Sequence, residues 1–211
     1  MAILRVNPTR MELTTMKRRL VTARRGHKLL KDKRDEMVRQ FMQRIRENHK
    51  LRRQVERELG AAFGSFAIAR AMMEPGSLNQ ALMYPARQAN IQVGQQSILS
   101  VKVPKIAVDE ESLKASSIPY GLAETSSQLD GAIAAMAEVL PQLIRLAEVE
   151  KTCSMLADEI QKTRRRVNAL EHVMIPNFEE TIRFITMKLD ENERSTLTRL
   201  MKVKEMIQDR T

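Results

Sequence analysis

The sequence predicts a mainly α protein, in which two very long helices form an antiparallel, left-handed coiled coil, with a small β-hairpin and irregular insert between them. Three observations predict this. Apolar residues recur at steps of three and four over both ends of the chain, whereas the middle alternates with period two. Among 211 residues there are 5 Phe, 2 Tyr, no Trp and 14 Met, too few aromatics for a thick core and rich in side chains that lose little freedom in a helix. No proline interrupts the chain between Pro8 and Pro75.

The first helix is expected to open at Asn7-Pro8-Thr9, where Glu12 follows Thr9 by three residues as in a capping box, and to run to about Met73. Its seam passes through Leu13, Leu20, Leu30, Met37, Phe41 and Val55. Some 60 residues at 1.5 Å each would reach roughly 90 Å, too long for a helix inside an ordinary globular domain. "EPGS" (74–77) reads as a stop signal.

The insert spans 74–125. Within it, "NIQVGQQSILSVKVP" (90–104) places Ile91 and Val93 before a turn centred on Gly94, then Leu99, Val101 and Val103 alternating with polar residues. This is a hairpin pattern closed by Pro104, with loop or irregular structure expected over 105–125. The second helical region, 126–211, opens at Ser126 or Ser127 and carries a seam through Leu156, Ile160, Val167, Leu170, Met174 and Ile185. Pro141 and Pro176 each lack an N–H and crowd the preceding turn, so kinks or short breaks are expected there.

Charge is distributed unevenly. Residues 1–60 hold 18 Lys/Arg against 7 Asp/Glu, whereas 123–211 hold 13 against 15, so the net charge of +10 belongs to the first segment. Such a segment attracts an anionic partner. The chain has one cysteine, Cys153, so no intrachain disulfide can form, and a reducing compartment is expected. No apolar run reaches bilayer-spanning length and no leader pattern opens the chain, so a cytoplasmic protein without direct membrane insertion is expected.

Catalytic chemistry finds no support. His27, His49 and His172 are too scattered for a metal site, Cys153 has no second thiol, and there is no GxxxxGK[ST] loop for nucleotide phosphates. No catalytic residue, cofactor or metal is expected. "KRRLVTARRGHKLLKDKR" (17–34) has the density of a nucleic-acid-binding helix. A bZIP arrangement would place the seam after the basic region, whereas here it runs through it.

Long motifs then match a known family. "NPTRMELTTMKRRLVTARRGHKLLKDKRDEMVRQF" (7–41) and "LAEVEKTCSMLADEIQKTRRRVNALEHVMIPNFEETIRFITMKLDENER" (146–194) resemble the N- and C-terminal blocks of the D subunit of the V-type and archaeal A-type ATPases. "SVKVP" (100–104) fits as well, and the short ending after "MKVKEMI" is closer to bacterial and archaeal members.

The resemblance implies a non-catalytic central rotor shaft. Its paired terminal helices would enter the cavity of the hexamer formed by the A and B subunits. The F subunit would bind its side, and the C subunit would link it to the membrane ring. It would thus be peripheral to the membrane through the complex. Nucleotide chemistry would lie in A and B.

Arg24, Arg25, Lys28, Arg164, Arg165 and Arg166 are then candidates for touching those partners, against a reading as solvated cations in i±4 pairs. Ile91, Val93, Leu99, Val101 and Val103 are candidates for a coupling-modulating hairpin, against a reading as a cap on the coil. The alternative from another class is a basic coiled-coil module that binds nucleic acid or scaffolds other proteins.

Overall fold

The computed structural model of the chain describes residues 4–83, 89–108, 120–121 and 125–208. In order these form α1 (Arg10–Met72), α2 (Pro75–Leu82), β1 (Ile91–Ile98), β2 (Val101–Val108), α3 (Ser127–Ala169), a π-turn (Leu170–Met174) and α4 (Ile175–Gln208).

Thr9 caps α1: its hydroxyl accepts the Glu12 N–H at 3.2 Å and its carbonyl accepts the Leu13 N–H at 3.0 Å. The helix then runs 63 residues without interruption. Its end is sharper than a loop. Pro75 cannot donate to α1, yet its fixed φ suits the first turn of a new helix, so the expected stop is also the start of the eight-residue α2. Pro75-Gly76, read as punctuation alone, conceals that helix.

The hairpin also differs from expectation. β1 and β2 pair antiparallel from Ile91↔Val108 to Ile98↔Val101, so Gly94 lies in the ladder opposite Lys105, and Pro104 lies opposite Gln95. The turn is made by Leu99 (φ 49°) and Ser100 (φ 74°), both left-handed. A two-residue hairpin loop matches strand twist when both central residues have positive φ, which normally selects Asn-Gly. Here the ladder imposes it on residues without that signature. Residues 105–108, expected to be irregular, complete β2.

The chain divides into two compact units. The first comprises the described parts of Met1–Glu36 and Ile160–Thr211, the second Met37–Glu159. In the first, Arg10 pairs with Glu193, Arg24 with Glu179 and His27 with Glu171, so the partner's number falls as that on α1 rises and the helices are antiparallel. Met16, Thr163, Val167, Thr181 and Ile185 are buried between them. In the second, α1 packs on α3 through Met37, Val55, Ala62, Val139, Val149 and Leu156. A cluster of Ala69, Met73, Leu78, Ala81 and Leu129 joins the end of α1, α2 and the start of α3. Buried positions spaced by three and four make both units coiled-coil pairings.

At Pro141 no break occurs: α3 passes through it as continuous helix. Before Pro176 the chain widens into the π-turn, in which the Ile175 N–H donates to the Leu170 carbonyl. Five residues rather than four then close the ring, and one extra residue is accommodated. The stripe therefore slips by one. Met174, assigned to the seam by spacing, is 44 % exposed, while Ile175 takes the half-buried position and the rhythm resumes at Phe178, Ile182 and Ile185.

Candidate partner-contact surface

The sequence-nominated cations all fall in the first unit. Thr163 and Val167 are buried on the seam, and consecutive helical positions are about 100° apart. Arg164, Arg165 and Arg166, lying between them, fan across the outer surface of α3, and all three are exposed. On α1, Arg25 and Lys28 are exposed, whereas the Arg24 guanidinium donates to Glu179 Oε1 at 2.6 Å. His27 Nε2 lies 3.3 Å from Glu171 Oε2. Arg24 is thus engaged within the chain. The other five nominated cations make no ion pair among the described residues.

The α1 and α3 groups do not merge into one cluster. Where α1 carries Arg24 and His27 it faces positions 179 and 171, and the three arginines occupy the helix before the π-turn. This is an array of separate point charges along a paired helix rather than a cluster converging on one anion.

The remaining nominated residues divide by burial. Leu13, Leu20, Leu30, Phe41, Ile160 and Leu170 are half-buried; Met37, Val55, Leu156, Val167 and Ile185 are buried. On the hairpin Val103 is 2 % exposed and Val101 and Leu99 are half-buried, but Ile91 and Val93 are 47 % and 68 % exposed. Register explains the split: Val101 and Val103 share one face of the ladder, Ile91 and Val93 the other. The Ile106 N–H, on the outer edge of β2, donates to Glu148 on α3 at 3.1 Å.

Two features carried no sequence signal. The Leu4 N–H donates to Thr181 Oγ1 at 3.2 Å, tying the residues before α1 to α4. The Tyr120 hydroxyl donates to Asp130, and burial followed by that hydrogen bond raises its pKa to about 12. Burial likewise pushes the Cys153 thiol up. Among the described residues no group of three or more His, Cys, Asp or Glu is placed to hold a metal, and no helix is long and apolar enough to cross a membrane.

Long helices paired through a narrow seam, with a hairpin between them in sequence and exposed cations on the first unit, define a coiled-coil protein. Comparison with known proteins makes the class specific. The family model of the ATP synthase D subunit matches residues 12–205. The chain is 55 % identical over 207 residues to a V-type ATP synthase D subunit from Thermoanaerobacter sp. (strain X514), spanning 98 % of this chain and 99 % of that one. It is 56 % identical over 209 residues to the V-type ATP synthase D subunit of Clostridium botulinum (strain Langeland / NCTC 10281 / Type F), covering 98 % and 97 %. With that of Fusobacterium nucleatum subsp. nucleatum the identity is 54 % over 208 residues, covering 99 % of each. The chain belongs to the family of V-type ATP synthase D subunits.

Proposed function

We propose that this chain is the non-catalytic central-stalk subunit of a V-type rotary ATPase, transmitting torque between the catalytic hexamer of A and B subunits and the membrane ring. Its partners are then A and B around the paired terminal helices, the F subunit at its side and the C subunit toward the ring, and it is peripheral to the membrane through them. Family membership over nearly the whole chain supports the assignment. The observation that carries the mechanical part is the seam. Met16, Val167 and Ile185 are sealed between antiparallel helices whose backbone hydrogen bonds are internal, while Arg25, Lys28 and Arg164–Arg166 stay outside.

Such a pair resists twisting, and its outer charges present a different pattern to each surrounding subunit. A rotor biases three catalytic sites in turn only through such differential contacts.

The test is direct observation. With Cys153→Ser and Gln96→Cys, a gold particle coupled to the exposed position 96 of the immobilised complex is expected to rotate in one direction on adding ATP. A particle that stays still while ATP is hydrolysed overturns the proposal.

A further inference from the structure

The helices of the first unit share a thinly packed level. On α1, none of the described residues 17–36, between buried Met16 and Met37, is itself buried. On the facing stretch the same holds for 168–180, between buried Val167 and Thr181. Two ion pairs set these stretches against each other: Arg24 with Glu179 at 2.6 Å and His27 with Glu171 at 3.3 Å.

Each stretch is weakened there for a reason of its own. Gly26 lies between Arg24 and His27, and a Cβ built on it would meet nothing within 4 Å, so packing does not require glycine. Inside a helix glycine is less stable than alanine, because it gives up more backbone freedom on folding. Across from it, the π-turn Leu170–Met174 contains no buried residue, and Pro176 follows it by two. Wide turns and prolines are places where helices bend.

We propose that this level is a hinge of the helix pair, at which Gly26 and the π-turn yield together while the His27–Glu171 contact limits the excursion. A paired helix bends sharply at one level only if both members yield there; a weak point facing regular, well-packed helix is held straight by its neighbour. The coincidence of the two weak points carries the proposal. Buried Thr163 and Val167 lie on one side of the level and buried Thr181 and Ile185 on the other, so sealed seam flanks an unsealed gap. Hinges are such short, lightly packed segments between better-packed ones. Glu171 belongs to the π-turn itself, so its contact ties the wide turn to the residue after the glycine.

The test is amide hydrogen exchange on the full chain, corrected for intrinsic rates. Amides in 24–30 and 170–178 are expected to exchange at least tenfold faster than those in 34–40, 160–167 and 181–187. Gly26→Ala is expected to slow exchange about two- to fivefold, in 170–178 as well as in 24–30, because the two stretches yield together. Glu171→Ala improves helix propensity but removes the contact, and is expected to speed exchange in both. A second measurement places spin labels at exposed Asn168 and Met187 in a Cys153→Ser chain. Their distance distribution is expected to be broad and to narrow with Gly26→Ala. Even exchange along the pair, an effect of Gly26→Ala confined to α1, slower exchange in Glu171→Ala, or a narrow distribution in the Gly26 chain overturns the hinge. The hinge is a property of this chain by itself, so its absence leaves the rotor reading standing, and a complex that does not rotate leaves the hinge standing.

Discussion

Ile175 donates its backbone N–H to the carbonyl of Leu170, five residues back, and Pro176 follows immediately. A proline has no N–H for the carbonyl four residues earlier and its ring crowds that carbonyl, so a wider turn just before it relieves the conflict. The outcome is a register shift that moves Met174 out and Ile175 in. Met174→Gln is therefore expected to change stability by under about 0.5 kcal/mol, as for an ordinary surface position. Ile185→Ala, at a site 0 % exposed, is expected to cost about 2–4 kcal/mol through lost burial and the cavity left behind. Chemical denaturation of the two variants measures the contrast, and equal losses would show that Met174 is on the seam after all.

Ser100 holds φ 74° in an exposed two-residue turn. Left-handed backbone costs a residue with a Cβ about 1–2 kcal/mol, a cost glycine avoids. Ser100→Gly is expected to raise hairpin stability by up to about that amount. Amide exchange across β1 and β2 reports it, with slower exchange as the expected result.

The seam was legible because burial imposes a period that can be counted along the chain: Met37, Val55, Leu156, Val167 and Ile185 all fall on it. The turn at Leu99-Ser100 was not, because ladder pairing forces left-handed backbone on residues that do not favour it. The shift at Met174 was half legible. Pro176 signalled a disturbance, but a proline fixes only where strain arises; whether the helix kinks, breaks or widens depends on the packing around it. Pro141, the same residue type, lies inside α3 without breaking it. The outward cations were legible as residue types, while their pairing was not: nothing in Arg24-Arg25 tells which of the two reaches Glu179.

Val103 and Val93 separate the two roles open to the hairpin. Val103→Ala removes buried carbon and is expected to lower stability by about 1–2 kcal/mol, on the order of 0.8 kcal/mol per methylene. Val93→Ala, on the exposed face, is expected to leave stability within about 0.5 kcal/mol. If the hairpin modulates coupling through Ile91 and Val93, replacing both with Ser changes the ATPase rate of the complex without moving the unfolding midpoint. An unchanged rate assigns the hairpin to capping.

Tyr120 titrates near 12, above the ordinary value of about 10. Its folded-state pKa is raised, so the contribution it makes is fully present below pH 10 and is lost as pH rises toward 12. Thermal unfolding of the wild-type chain is expected to weaken more steeply between pH 10 and 12 than that of Tyr120→Phe. Parallel curves would show the Asp130 hydrogen bond to be inconsequential.

Cys153 is half-buried, and burial raises its thiol pKa. Since the thiolate is the nucleophile, alkylation by iodoacetamide at pH 8 is expected to be slower than for a free cysteine and to accelerate on unfolding in urea. A rate matching free cysteine in the native protein would contradict the packing of α1 on α3 at this level.

The first unit draws on both ends of the chain, whereas the second is contiguous. On a ribosome, Met37–Glu159 emerges with every residue of its unit in hand, but the 36 residues before it have no partner until position 160 and beyond are made. At roughly 5–20 residues per second, translating the intervening stretch takes on the order of 6–25 s. For that interval Leu13, Met16 and Leu20, together with the positive charge around them, are uncovered in a nascent helix. The order of synthesis therefore gives this chain a folding hazard at its beginning that only its ending resolves.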